Sequence, residues 1–253
     1  MEFGPPGWQG AQIVFFDCDS TLSRLEGVDE LARRRGADVA ELTRLAMAGE
    51  LPLDAVYGER LRRIGASAED LEWLVERYSE EIVPGAAEVL VALAALGVAV
   101  HVISGGLLPA VAPFAARLGI PATRVHAVPF DPAVDLAATC AHPLARAGGK
   151  PLVIEQVCAA GPPRAARMLV GDGASDLEAA GSVGLFVGYG GIEARAQVRE
   201  HADVFLAGEG LHAVALLAAG PARSAALERA APQVYEYGLR SLRSPLEFTI
   251  RSA

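Results

Sequence analysis

The chain has 253 residues, of which 52% are hydrophobic, 21% charged and 6% aromatic; this is ample for a packed core and excludes general disorder. Asp and Glu number 31 against 22 Lys and Arg, a formal net charge of −9, so the basic footprint that a nucleic-acid partner requires is missing from the total. The apolar stretch from Val89 to Val100 falls well short of the roughly 20 residues that cross a bilayer and is interrupted by Gly97, which argues against a transmembrane span and a membrane partner.

The amino-terminal segment lacks a basic region followed by an apolar run, so no export signal is expected and the cytoplasm is the expected compartment. Ile13 to Phe16 is a short β-branched and aromatic run that ends abruptly in acids, which predicts a buried strand whose carboxyl end reaches a surface. Residues 23–81 then carry helical signals in succession with no strand between them and read as an inserted helical cap. Asp38-Val39-Ala40-Glu41 and Ser67-Ala68-Glu69-Asp70 look like helix starts, a helix is expected from near Pro52, and Leu71, Leu74, Val75 and Tyr78 keep helical spacing.

Pro84-Gly85 marks the return to the sheet. Val98 to Ile103 runs into Ser104-Gly105-Gly106, and Met168 to Val170 runs into Gly171-Asp172-Gly173; each run is followed by a helical pattern. Strand, polar tip and helix in repetition predict an α/β fold with a doubly wound parallel sheet, in which ligands collect at the carboxyl ends of the strands. Residues 125–139 predict only a loop or small hairpin. The organisation is thus a discontinuous core over residues 10–22 and 82–222, the cap over 23–81, and an extension over 223–253 whose role the sequence does not reveal.

Asp17-Cys18-Asp19-Ser20-Thr21 places two acids at the tip of the first strand, where a simple turn would also accept them. Asp172 and Asp176 occupy a glycine-rich tip, although Ser175-Asp176-Leu177-Glu178 also has the form of a helix cap. Together the two tips would gather up to four carboxylates, whose repulsion calls for a cation; magnesium, an oxygen-seeking ion, is the natural one. Lys150 before a helical run opposes the helix dipole unless an anion binds there, and Ser104-Gly105-Gly106 offers a hydroxyl and open N–H groups for phosphate. Arg60 falls within an apolar helix face, where it must snorkel or meet an anion. Cys18, Cys140 and Cys158 lack metal-ligand spacing, and His101, His126, His142, His201 and His212 share no spacing either.

In the order Asp-x-Asp-Ser-Thr, Ser-Gly-Gly, Lys and Gly-Asp-Gly-x-x-Asp, these residues resemble the haloacid dehalogenase superfamily. Glu26-Gly27-Val28-Asp29-Glu30-Leu31-Ala32, Arg44-Leu45-Ala46-Met47, Glu59-Arg60-Leu61 and Val187-Gly188-Tyr189-Gly190-Gly191 are similar, more narrowly, to its phosphoserine phosphatase family, over roughly residues 12–219.

The resemblance implies a phosphomonoesterase acting on O-phospho-L-serine in serine biosynthesis, with Asp17 as nucleophile and Asp19 as general acid and base. It assigns Mg2+ to Asp17, the Asp19 backbone carbonyl and Asp172, supported by Asp176. Ser104, Gly105, Gly106 and Lys150 would hold the phosphoryl group, with Ser175 beside it. Glu26 would take the substrate ammonium, Arg60 its carboxylate and Met47 its apolar side; a homodimer is compatible with all of this.

Leu53 departs from a phenylalanine common in the family, the stretch between Phe130 and Gly149 is short, and the extension is additional. A related phosphatase or phosphotransferase on another small ester would share the core residues. A phosphoacceptor signalling module would share the acids and the lysine, but would need neither a second acid beside the acceptor nor a cap.

Overall fold

The computed structural model describes residues 3–42, 53–244 and 248–251. In chain order it runs β1 (Ile13–Phe16), α1 (Gly27–Arg35), α2 (Leu53–Ile64), α3 (Ala68–Glu80), α4 (Ala86–Ala95), β2 (Ala99–Leu107) and α5 (Leu108–Arg117). There follow β3 (Val125–Val128), α6 (Ala137–Ala141), α7 (Gly149–Val157), β4 (Arg167–Gly171), α8 (Ala174–Glu178), β5 (Leu185–Tyr189) and α9 (Ala196–His201). The chain closes with β6 (Val204–Leu206), α10 (His212–Ala230), α11 (Pro232–Arg243) and β7 (Phe248–Ile250).

The seven strands form one sheet in the order β3-β2-β1-β4-β5-β6-β7, parallel except for β7, which runs antiparallel to β6. All four residues of β1 are buried, as a central strand covered on both faces requires. Phe15 and Phe16 are fully enclosed, and each such ring contributes about 1.5–3 kcal/mol by leaving water. β1 pairs with β2 on one side and β4 on the other, with Phe16 beside Val170. Chain order reverses at this pair, and the residues just past it, Asp17 and Asp172, emerge together at the topological switch point where ligands bind in open α/β sheets.

The cap helices α1, α2 and α3 lie between two linkers that run antiparallel: Ser23 bridges Ile82, Arg24 N–H donates to the Glu81 carbonyl at 2.8 Å and Val83 N–H to the Leu22 carbonyl at 3.0 Å. Ser67 caps α3 as its sequence predicts: its hydroxyl accepts from Asp70 N–H while Asp70 accepts from Ser67 N–H at 2.8 Å. Arg34 and Arg35, at the end of α1, close onto the buried Asp70. Ala40 N–H donates to Asp38, and the expected helix begins at residues 40–42, beyond which the chain lies outside the described residues.

Three local expectations are corrected. Residues 125–128 form a strand rather than a loop or hairpin, since a four-residue edge strand followed by Pro129 carries too little periodicity to be read. The Ser-Gly-Gly run is not a junction but the last part of β2, which continues to Leu107. Gly173, not Ser175, caps α8, with Asp176 accepting from Gly173 N–H at 3.1 Å.

The extension is built into the core. α11 packs on α10, and β7 covers the β6 edge that would otherwise be open. α10 is broken at Gly220 (φ 60°), close to the expected start of the extension, and a Cβ there would lie 2.3 Å from the Gln9 carbonyl oxygen. The amino-terminal segment crosses there and is pinned by Trp8, whose indole N–H donates to the Leu217 carbonyl at 2.7 Å. Among the described residues, no helix is long and apolar enough to cross a membrane.

Candidate active site

Past β1 the chain folds back tightly, with Thr21, Leu22 and Ser23 N–H groups all pointing to the Cys18 carbonyl. Ser20 takes a left-handed φ of 52°, the sole non-glycine to do so among the described residues; such strain costs on the order of 1 kcal/mol and clusters at functional sites. The turn puts Asp17 and Asp19 at a cleft of about 590 Å³ between core and cap. Cys18 points the other way and is buried; burial first, then the two flanking acids, pushes its thiol far up and leaves it inert.

Asp17, Asp172 and Asp176 are all buried and offer carboxylate oxygens within 4.8 Å of one another. Lys150, in the first turn of α7 and itself buried, donates to Asp17 Oδ2 at 2.6 Å and to Asp176 Oδ1 at 2.5 Å. Burial alone would lower the Lys150 pKa, but the two carboxylates outweigh it and hold it above the ordinary lysine value. Burial and the Asp17 charge raise Asp176 to about 7 in spite of Lys150.

Two cations face these three acids, Lys150 on Asp17 and Asp176 and Arg195 on Asp172 Oδ2, but Arg195 is shared with Glu26 and Glu193, so the cluster keeps an excess of negative charge. An all-oxygen, over-acidic cluster of three buried carboxylates fits a hard divalent cation. The Asp19 carboxylate stands apart from this group: its Oδ1 accepts from Tyr78 Oη at 2.6 Å and from Gly27 N–H at 3.0 Å. Burial first, and then the Glu26 charge, raises Asp19 to about 8.

Ser104 Oγ accepts from Gly106 N–H at 2.9 Å, within the stretch of β2 where its register against β3 shifts. Gly105 lines the cleft, while at Gly106 a Cβ would lie 3.1 Å from Asp19 Oδ2, so glycine there lets the acid approach. Ser175 lines the cleft from α8.

On the cap side, Glu26 accepts from Ser20 Oγ at 2.8 Å and lies 3.3 Å from Arg195; burial in the cleft pushes its carboxyl upward against both. Arg60 faces the same cleft, pairs with Asp29 and keeps a buried Nε with no hydrogen-bond partner. Met47 lies outside the described residues.

Three contributors escape sequence reasoning. Arg195, in the loop before α9, touches Asp172, Glu26 and Glu193; nothing in its local sequence separates it from a surface arginine. Tyr57 and Tyr78 sit at helical spacing among apolar neighbours and read as core, yet Tyr57 Oη donates to the Gly105 carbonyl at 2.8 Å, tying cap to core. Away from the cleft, His101 and His126 meet at 3.0 Å across β2 and β3; burial lowers both and holds His101 at about 4.

Residues 14–181 match the model of the haloacid dehalogenase-like hydrolase family. The chain belongs to this family. Phosphoserine phosphatase of Homo sapiens is 37% identical over 209 residues, covering 78% of this chain and 89% of that protein. Among solved structures, a phospho-aspartyl intermediate analogue of phosphoserine phosphatase superposes with a TM-score of 0.68 at 26% identity, covering 81% of this chain and 98% of the other. A substrate-bound phosphoserine phosphatase complex gives 0.67 at 26% identity, covering 81% and 96%. The molecule is a haloacid dehalogenase-like hydrolase with a phosphatase core, and hydrolases of this family generally use a divalent metal.

Proposed function

We propose that the protein hydrolyses O-phospho-L-serine to L-serine and phosphate through an aspartyl-phosphate on Asp17, with Mg2+ as the metal. The observation that carries the substrate is the pair of cap groups in the cleft of the acid cluster: Glu26, an anion for the ammonium, and Arg60, whose buried Nε lacks a partner and is suited to a carboxylate. The kinship with the human enzyme supports the same substrate.

Asp17 attacks phosphorus as the bond to the serine oxygen breaks, and Asp19 gives that oxygen its proton. With its carboxyl raised to about 8, Asp19 holds a proton at neutral pH. In the second half a water attacks phosphorus, Asp19 takes its proton, and the bond to Asp17 breaks, which restores both acids. Lys150, fixed by Asp17 and Asp176, draws charge from the phosphoryl oxygens without reorganising. Ser104, Gly105 and Gly106 hold those oxygens from the other side, with Ser175 near them. Asp17, the Asp19 backbone carbonyl and Asp172 would hold Mg2+, with Asp176 behind them; when bound, the ion offsets phosphate charge beside the nucleophile.

The test is a panel of phosphomonoesters with and without Mg2+. Phosphoserine is expected to give the highest kcat/KM, with activity lost to a chelator and restored by Mg2+. Equal or better turnover of sugar phosphates would overturn the substrate assignment.

A further inference from the structure

Tyr78 is fully buried near the end of α3, its ring stacked 5.3 Å from that of Phe114 on α5. A phenylalanine would fill that space and make the same stack. The hydroxyl therefore needs its own explanation, because a buried O–H is costly unless bonded. Its partner is Asp19 Oδ1, and that same oxygen also accepts from Gly27 N–H at the start of α1.

The two oxygens of this carboxyl are thus unlike. Oδ1 is held by two donors, both carried on cap helices; Oδ2 lies beside Gly106 in the last part of β2, next to the proposed phosphate-binding residues. Gly27 N–H has no choice but to donate, and in a neutral carboxyl the carbonyl oxygen is the better acceptor. With both donors on Oδ1, Oδ2 is the oxygen left to face the departing group. The three groups fit closely, since a Cβ at Gly27 would lie 1.9 Å from the Tyr78 oxygen.

We infer that Tyr78 is a positioning residue for the general acid: with Gly27 it holds Asp19 Oδ1, so that Oδ2 presents the proton to the departing oxygen. This rests on the reading of Asp19 given above. It also makes acid catalysis depend on the seating of the cap, because neither donor belongs to the core.

The test compares Tyr78→Phe and Asp19→Asn with wild type, using phosphoserine and p-nitrophenyl phosphate. Serine alkoxide needs a proton to leave and p-nitrophenolate does not, and kcat/KM reports only the steps through cleavage of the ester. Tyr78→Phe is expected to lose about tenfold or more in kcat/KM with phosphoserine and about twofold or less with p-nitrophenyl phosphate, with Asp19→Asn showing the same contrast more strongly. The ratio of the two substrates in one preparation is independent of the folded fraction, so a merely structural tyrosine would leave it unchanged. Equal losses on both substrates, or none, for Tyr78→Phe beside a contrast for Asp19→Asn would overturn the inference alone. No contrast for Asp19→Asn would overturn the reading of Asp19 and the inference with it.

Discussion

Arg60 shows how a single side chain divides between structure and recognition. One end of its guanidinium pairs with Asp29, yet Nε stays buried and unpartnered in the cleft. A planar fork can serve a carboxylate with two parallel bonds, which a lysine ammonium cannot. Arg60→Lys is therefore expected to raise KM for phosphoserine about tenfold, roughly 1.4 kcal/mol, with little change in kcat. KM for p-nitrophenyl phosphate, which has no carboxylate, should stay as in wild type; steady-state kinetics on the two esters checks both halves, and an unchanged KM for phosphoserine would remove Arg60 from substrate recognition. The apolar helix face made Arg60 conspicuous in the sequence, because an arginine among Val56, Tyr57 and Leu61 demands a reason. Arg195 had no such contrast around it, and only the folded chain brings it against Asp172 and Glu26.

At the scale of elements, the cap depends on an ionic joint between α1 and α3. Asp70 accepts from Arg34 Nε at 2.7 Å and from both the N–H and the hydroxyl of Ser67 at 2.8 Å. Burial alone would raise its carboxyl, but these bonds, with Arg35 nearby, outweigh it and hold the pKa at about 2 against 3.8 for the free group. Because the folded-state value is depressed, the stabilisation is complete above about pH 4 and is lost as pH falls toward 2. Discounted for the exposed arginines, it amounts to about 1–2 kcal/mol. Asp70→Asn is accordingly expected to melt about 2–8 °C below wild type near neutral pH, with the gap closing in acid. Thermal denaturation across that range checks it, and a gap independent of pH would contradict it.

The capping box at Ser67 was legible because its signal is local. Strands β1 and β4 were legible because apolar runs that end in acids have few other uses. The edge strand β3 was not, since four residues at a sheet margin lack both the length and the burial that make periodicity visible.

For the molecule as a whole, the sheet does the assembling. Asp17 and Asp172 are far apart in sequence, and they meet because β1 and β4 are neighbours at the point where strand order reverses. Sequence order alone suggested this convergence through the repeated strand-and-tip design. It could not foresee that the extension would close the far edge of the sheet through β7 and brace α10 through α11, because those contacts join segments with no shared local pattern.

The account stands on Asp17 as the atom donor to phosphorus, and trapping the covalent intermediate tests that most directly. Wild-type enzyme quenched in acid during turnover of phosphoserine, digested and analysed by mass spectrometry should carry a hydroxylamine-sensitive phosphoryl group on the peptide containing Asp17. Asp17→Asn should carry none and release no phosphate while melting as a folded protein. A phosphoryl group on another residue, or phosphate release by the variant, would contradict the account.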